Sequence, residues 1–234
     1  MQIFYAPGIE GSSYRLDNKE SRHIIRVLRM KKGDHVRIID GRGNLYEGLI
    51  SNPDSESCVI GITGTIRNFE RRPYNLHLAV SPLKNPERFE WMVEKCVEIG
   101  VDEITPLICR NSEKKSIKRE RLQNIIISAM KQSLKAALTK LNEPREFKML
   151  INEAYDGCKL IAHCNRDISR KGISGAYRKG DNVTILIGPE GDFTHDEIYA
   201  AASAGFESIH LGESRLRSET AGISACHSVY LLNQ

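Results

Sequence analysis

The chain of 234 residues is 40% hydrophobic and 27% charged, with 34 Lys and Arg against 30 Asp and Glu, a formal net charge of +4. That balance fits an ordinary globular protein of one large or two small domains with a real core. No apolar run approaches the ~20 residues of a membrane span, and Met1-Gln2-Ile3-Phe4-Tyr5-Ala6-Pro7 lacks the basic region and apolar core of a signal peptide, so a cytoplasmic protein without membrane attachment is expected.

The first 72 residues read mostly as strand and turn. Val36–Asp40, the turn Gly41-Arg42-Gly43-Asn44 and Leu45–Ile50 form a hairpin signature. Cys58–Ile62 and Gly64–Ile66 continue the β character. One helix interrupts it, opening at Asp17 with Glu20 three residues on, a capping-box-like start. Helical spacing puts Ile24, Val27 and Leu28 on one side and Arg22, Arg26 and Arg29 around the other. A small β-barrel with one helix is the economical reading. This segment holds 12 Lys and Arg against 9 Asp and Glu, so it is the more basic part per residue and is compatible with a nucleic-acid partner.

Arg71-Arg72-Pro73 reads as a linker, because proline resists both helix and sheet interior. Beyond it the texture changes. The order is strand Leu76–Val80, helix Pro86–Gly100 with Phe89, Met92, Val93, Cys96 and Val97 on one stripe, strand Ile104–Cys109 and helix Glu120–Leu141. Strands Cys158–His163 and Val183–Ile187, helix Thr194–Ala204, strand Ser208–Leu211 and helix Glu219–Leu232 follow, Thr194 and Glu197 making a capping box. Strands alternating with long helices predict a largely parallel sheet covered on both faces.

The six cysteines are scattered and form no C-x-x-C pair, which predicts reduced, mostly buried thiols and no structural metal. The motifs of phosphate loops, dinucleotide sites, zinc proteases and α/β-hydrolases are missing. What remains is a pair of late loops. Val183–Leu186 runs into Ile187-Gly188-Pro189-Glu190-Gly191-Asp192, and Leu211-Gly212 leads into Arg215, Leu216, Arg217, Ser218, Glu219 and Thr220. Glycine lets backbone approach a ligand, and loops at the carboxyl ends of strands are where ligands bind in open α/β sheets. Arginines just before a helix N-terminus suit an anionic group. Taken alone, the first loop is better explained as a plain strand-to-helix turn, and the second equally well as the start of the last helix at Ser218 or Glu219 with its arginines solvated. A solvated helix face competes as the explanation of the basic segment His23–Arg29. Lys114, Lys115, Lys118, Arg119 and Arg121 read as a solvated helix start.

Five ordered blocks carry a resemblance: His23–Arg29 with Gly33-Asp34; Lys84, Glu90, Lys95, Glu98 and Gly100; Gln132-Ser133; Leu186–Gly191; and Leu211-Gly212 with Leu216-Arg217 and Glu219-Thr220-Ala221. Over almost its full length the chain resembles the ribosomal RNA small subunit methyltransferase E family of the SPOUT superfamily. The resemblance implies an α/β protein with a PUA-like RNA-binding β-barrel at 1–72 and a SPOUT methyltransferase domain at 73–234 whose C-terminal part forms a trefoil knot. It implies a homodimer that uses S-adenosyl-L-methionine, without metal, to methylate N3 of a uridine in the decoding region of 16S rRNA in the small ribosomal subunit. Cofactor contacts fall on Leu186, Gly188, Pro189, Glu190, Gly191, Leu211, Gly212, Leu216 and Thr220. RNA contacts fall on His23, Arg26, Arg29, Gln132 and Lys135. Arg217 becomes the candidate for stabilising negative charge on the base, and Glu219 the candidate base or a group that orients Arg217. Three places depart from the family pattern. Leu134-Lys135 stand where Gly-Arg is common, Ser214-Arg215 where Arg-Ile is common, and Gly191-Asp192 where Gly-Gly is common. The competing expectations are a SPOUT enzyme acting on another RNA such as tRNA, or a non-catalytic RNA-binding assembly factor.

Overall fold

A computed structural model describes residues 3–234. The chain divides into two compact units, Met1–Arg71 with Ile127–Leu138, and Arg72–Ile126 with Thr139–Gln234.

In the first unit, β1 (Ile3–Tyr5), β2 (Ser13–Arg15), β3 (His35–Ile39), β4 (Leu45–Asn52) and β5 (Val59–Ile66) form one sheet in the order β1-β3-β4-β5-β2. β1 pairs parallel with β3 and the other pairs are antiparallel. Phe4, Leu16, Ile24, Val36, Ile38, Ile50 and Ile60 make its core, each large apolar side chain contributing on the order of 1.5–3 kcal/mol by leaving water. The predicted hairpin is present. Its turn is held by Asp40, 2% exposed, whose carboxylate accepts from the Arg42 and Asn44 amides at 2.7 and 3.1 Å and from the Asn44 side chain at 2.7 Å. Burial alone would raise the Asp40 pKa, but these hydrogen bonds outweigh it and leave the carboxyl below its ordinary value.

The predicted first helix is shorter than its apolar pattern suggests. α1 spans Asn18–Arg22, capped by Asp17 through the Glu20 amide at 2.7 Å. The chain then widens into a π-helical turn, His23–Val27, in which the Leu28 amide reaches back to the His23 carbonyl at 3.0 Å. A turn of that width rotates later residues away from their 3.6-residue positions. Val27, expected on the apolar side, is therefore 65% exposed, while Ile24 is fully buried.

The second unit is built on a parallel sheet. β6 (Leu76–Val80), α2 (Pro86–Ile99), β7 (Glu103–Ile108) and the start of α3 (Arg119–Gln132), whose residues from Ile127 on belong to the first unit, are followed by the short β8 (Lys140–Leu141), β9 (Arg145–Glu146) and α4 (Phe147–Ile151). β10 (Cys158–Ala162), β11 (Lys171–Gly172), α5 (Ile173–Ala176), β12 (Val183–Ile187), α6 (His195–Ser203), β13 (Glu207–His210) and α7 (Ser218–Leu232) complete it. The strand order is β11-β13-β10-β12-β6-β7-β8, with β9 beside β7. Every residue of β6 and β12 is buried, as strands covered on both faces require. Gly222 lets α7 close on α2, since a Cβ there would meet the Met92 sulfur at 2.7 Å.

The predicted helix over 120–141 ends at Gln132. Leu134 takes a left-handed φ of 60°, and the chain beyond it turns away. The Ala136 carbonyl accepts from Gly43 at 3.0 Å, and the Leu138 amide donates to the Gly41 carbonyl at 2.9 Å. Tertiary hydrogen bonds override the helical propensity of Leu-Lys-Ala-Ala-Leu here.

Candidate active site

Sheet order places the carboxyl ends of β10, β12 and β13 side by side, Ala162 standing opposite both Ile187 and Ile209. Outside these ends lies a cleft of about 1000 Å³, with Ala162, Ile187 and Ile209 on its floor. Three loops wall it.

After β12 the chain passes through Gly188-Pro189-Glu190-Gly191-Asp192. A Cβ on Gly188 would sit 3.1 Å from two Phe193 ring carbons, so glycine permits this turn to close. Glu190 accepts from the Lys84 amide at 2.9 Å, and the Asn111 side chain donates to the Gly191 and Asp192 carbonyls at 3.2 and 3.0 Å. Asp192 holds a left-handed φ of 62°. Its carboxylate repays that strain by accepting from the Phe193 and Cys164 amides, both at 2.8 Å. The second bond ties the β12 loop to the β10 loop.

After β13, Gly212 takes φ 119°, a conformation open to glycine alone at little cost. Arg217 occupies the N-cap of α7 with no side-chain cap bond, so amides of the first helical turn remain available to a ligand. Glu219 is 7% exposed, and Arg88 reaches its carboxylate at 3.6 Å. Among the described residues Arg217 pairs with no carboxylate.

The β10 loop was not foreseen. It brings His163, Cys164, Asn165, Arg166 and Arg170 to the wall. Asn165 meets His195 at 2.6 Å and Arg170 donates to the His163 carbonyl at 2.6 Å. An apolar run ending in polar residues was the available signal, but no glycine marks this turn. Arg88 on α2 joins the wall as well. In total five arginines and five carboxylates line the cleft, a mixed field that suits a zwitterion better than a polyanion.

Of the residues singled out from sequence, Gly188, Pro189, Glu190, Leu211, Gly212, Leu216, Arg217 and Glu219 lie on the wall. Leu186 is fully buried in β12, Gly191 turns toward Asn111, and Thr220 is exposed on α7 outside the wall. His23, Arg26, Arg29, Gln132 and Lys135 all fall in the first unit. His23, Arg26, Arg29 and Gln132 are exposed there and Lys135 is half-buried. Among the described residues no cluster of His, Cys, Asp and Glu could hold a metal, and no helix is long and apolar enough to cross a membrane.

The family model for the RNA methyltransferase domain matches residues 70–230, and that for the RNA methyltransferase PUA domain matches residues 16–63. The chain is 30% identical to the ribosomal RNA small subunit methyltransferase E of Mesomycoplasma hyopneumoniae, over 95% of this chain and 96% of that one. The crystal structure of a probable rRNA methyltransferase from Porphyromonas gingivalis shares 43% identity with a TM-score of 0.94, covering 100% of this chain and 98% of the other. A ribosomal RNA small subunit methyltransferase E from Neisseria gonorrhoeae, bound to S-adenosyl methionine, shares 26% identity with a TM-score of 0.88, covering 100% and 98%.

Proposed function

Because the chain belongs to the ribosomal RNA small subunit methyltransferase E family, we propose that its three-loop cleft binds S-adenosyl-L-methionine and methylates N3 of a uridine in 16S rRNA. The observation that carries the reading is the cleft itself. It is about 1000 Å³, apolar at the floor and mixed in charge at the walls, at the strand ends where α/β sheets bind ligands. A cofactor with a neutral purine and a zwitterionic tail matches both characters. When bound, that cofactor supplies an electrophilic methyl group on a sulfonium, which needs neither metal nor covalent enzyme intermediate.

The chain's own task is then orientation and charge placement. Backbone around Gly188, Pro189, Glu190, Leu211, Gly212 and Leu216 holds the cofactor, with Leu186, Gly191 and Thr220 shaping these loops from outside the wall. Arg217, exposed at the start of α7, stabilises the negative charge that spreads over the uracil carbonyls once N3 loses its proton. Glu219 is held by Arg88 and fixes the geometry of the first turn. His23, Arg26, Arg29, Gln132 and Lys135 contact RNA phosphates, which position the substrate without reading its sequence. The working enzyme is a homodimer with a PUA-like domain at 1–72 and a knotted methyltransferase domain at 73–234.

The test is mass mapping of 16S rRNA from cells lacking the protein, before and after complementation. One N3-methylated uridine disappears and returns; a change at a different base, in tRNA, or nowhere refutes the assignment. Arg217→Ala abolishes the return, whereas near-normal methylation by that variant removes the role given to Arg217.

A further inference from the structure

His163 is 4% exposed, yet among the described residues neither of its ring nitrogens has a hydrogen-bond partner. Buried polar side chains are nearly always paired, so an orphan imidazole on the wall of a cleft marks a group that a ligand completes. The surroundings are built to hold it still. Its carbonyl accepts from Arg170 at 2.6 Å, and the amide of the next residue donates to Asp192 at 2.8 Å. Ala162 precedes it on the apolar floor. Burial pushes its pKa below the ordinary histidine value, with Asp192 opposing and Arg170 adding to the effect. The neutral ring offers one donor and one acceptor.

Resting on the reading of this cleft as a S-adenosyl-L-methionine site, we infer that one ring nitrogen of His163 hydrogen-bonds the nucleoside half of the cofactor, whose purine and ribose edges carry both donors and acceptors. The charged amino-acid tail finds its complement elsewhere, among the arginines and carboxylates of the rim. The orphan atoms explain why a residue that weakens the apolar packing at a strand end is present. Both ring nitrogens are closed to solvent in the folded chain, so one of them becomes satisfied only when the side chain turns toward a bound ligand.

Calorimetry on the full chain with S-adenosylhomocysteine and with 5′-methylthioadenosine, which lacks the amino-acid tail, tests this. His163→Phe weakens both ligands by about tenfold, and His163→Gln, which keeps a donor and an acceptor, retains most of the affinity. 5′-Methylthioinosine separates the two edges. If the purine edge is the partner, wild type and His163→Phe bind this analogue alike; if ribose is the partner, the gap persists. In wild type, the ¹⁵N signals of the His163 ring move when S-adenosylhomocysteine is added. A wild-type protein that binds no S-adenosylhomocysteine sinks the cofactor reading itself. Normal wild-type binding with no ring shift, or His163→Phe weakening S-adenosylhomocysteine alone, overturns the role of His163 and leaves the cofactor reading standing.

Discussion

The two ends of the parallel sheet each bury a histidine, and the two are handled in opposite ways. At the amino end His77 is 6% exposed and both ring nitrogens meet threonine hydroxyls, Thr105 at 2.7 Å and Thr184 at 3.4 Å. Around it Asn142 donates to Glu103 and Thr105, and Tyr155 lies against the ring at 5.6 Å. At the carboxyl end His163 is as deeply buried and unpaired. One end of the sheet satisfies its own polar atoms and is finished as folded. The other leaves them open, strains Asp192 and spends glycines on close turns. The contrast separates residues kept for stability from residues kept for a ligand, although the two histidines are buried to nearly the same depth.

Perturbing the ends separately sharpens the contrast. The largest effect belongs to Gly188→Leu, which drives a side chain into the Phe193 ring and weakens S-adenosylhomocysteine binding by more than about 100-fold in calorimetry; retained affinity removes the β12 loop from the site. His77→Leu leaves Thr184 unpaired and costs about 2 kcal/mol in urea unfolding, with the cofactor Kd unchanged. A changed Kd there breaks the comparison.

The pH dependence comes next. Burial holds His77 below the ordinary value of 6.5, Glu103 and Glu153 opposing and Lys140 adding to it. Such a group binds fewer protons folded than unfolded, so its contribution is complete above about pH 6.5 and is lost as pH falls through its lower folded value. Urea unfolding at pH 8 and pH 5.5 shows wild type losing up to about 1.4 kcal/mol per pH unit from this group at the acidic end, and His77→Leu shows a flatter slope. The smallest effect is on stability at the other end. His163→Phe removes unpaired atoms from the interior, so unfolding free energy stays level or rises by under about 1 kcal/mol; a clear loss of stability contradicts the ligand role.

Much of this architecture was readable as pattern. Apolar runs located β6, β12 and β13, and Thr194 with Glu197 marked the start of α6, where both capping bonds are present. The short β8, β9, α4, β11 and α5 escaped, because two to five residues carry no period to read. The overrun of α3 has a more instructive cause. Nothing in Ser133–Leu138 breaks a helix, and the left-handed turn falls on Leu134 without the glycine that would announce it. Asp192 repeats the lesson. Both positions carry positive φ where the family commonly places glycine, so two departures from the motif coincide with two strained backbones. Within the site, the loops after β12 and β13 were legible from their glycines. The loop after β10 was not, because only long-range strand pairing sets Ala162, the residue before His163, beside Ile187 and Ile209.

The cysteines give the cleft an experimental handle. Of the six thiols Cys164 alone is exposed, and it lies on the cleft wall. Burial pushes Cys58, Cys109 and Cys158 upward, and Cys96 is raised further by its hydrogen bond to Cys226 and by burial in the α2–α7 contact, so their reactive thiolates are scarce at neutral pH. A maleimide fluorophore added to the unaltered protein therefore labels a single position, and its emission follows the filling and emptying of the pocket in real time.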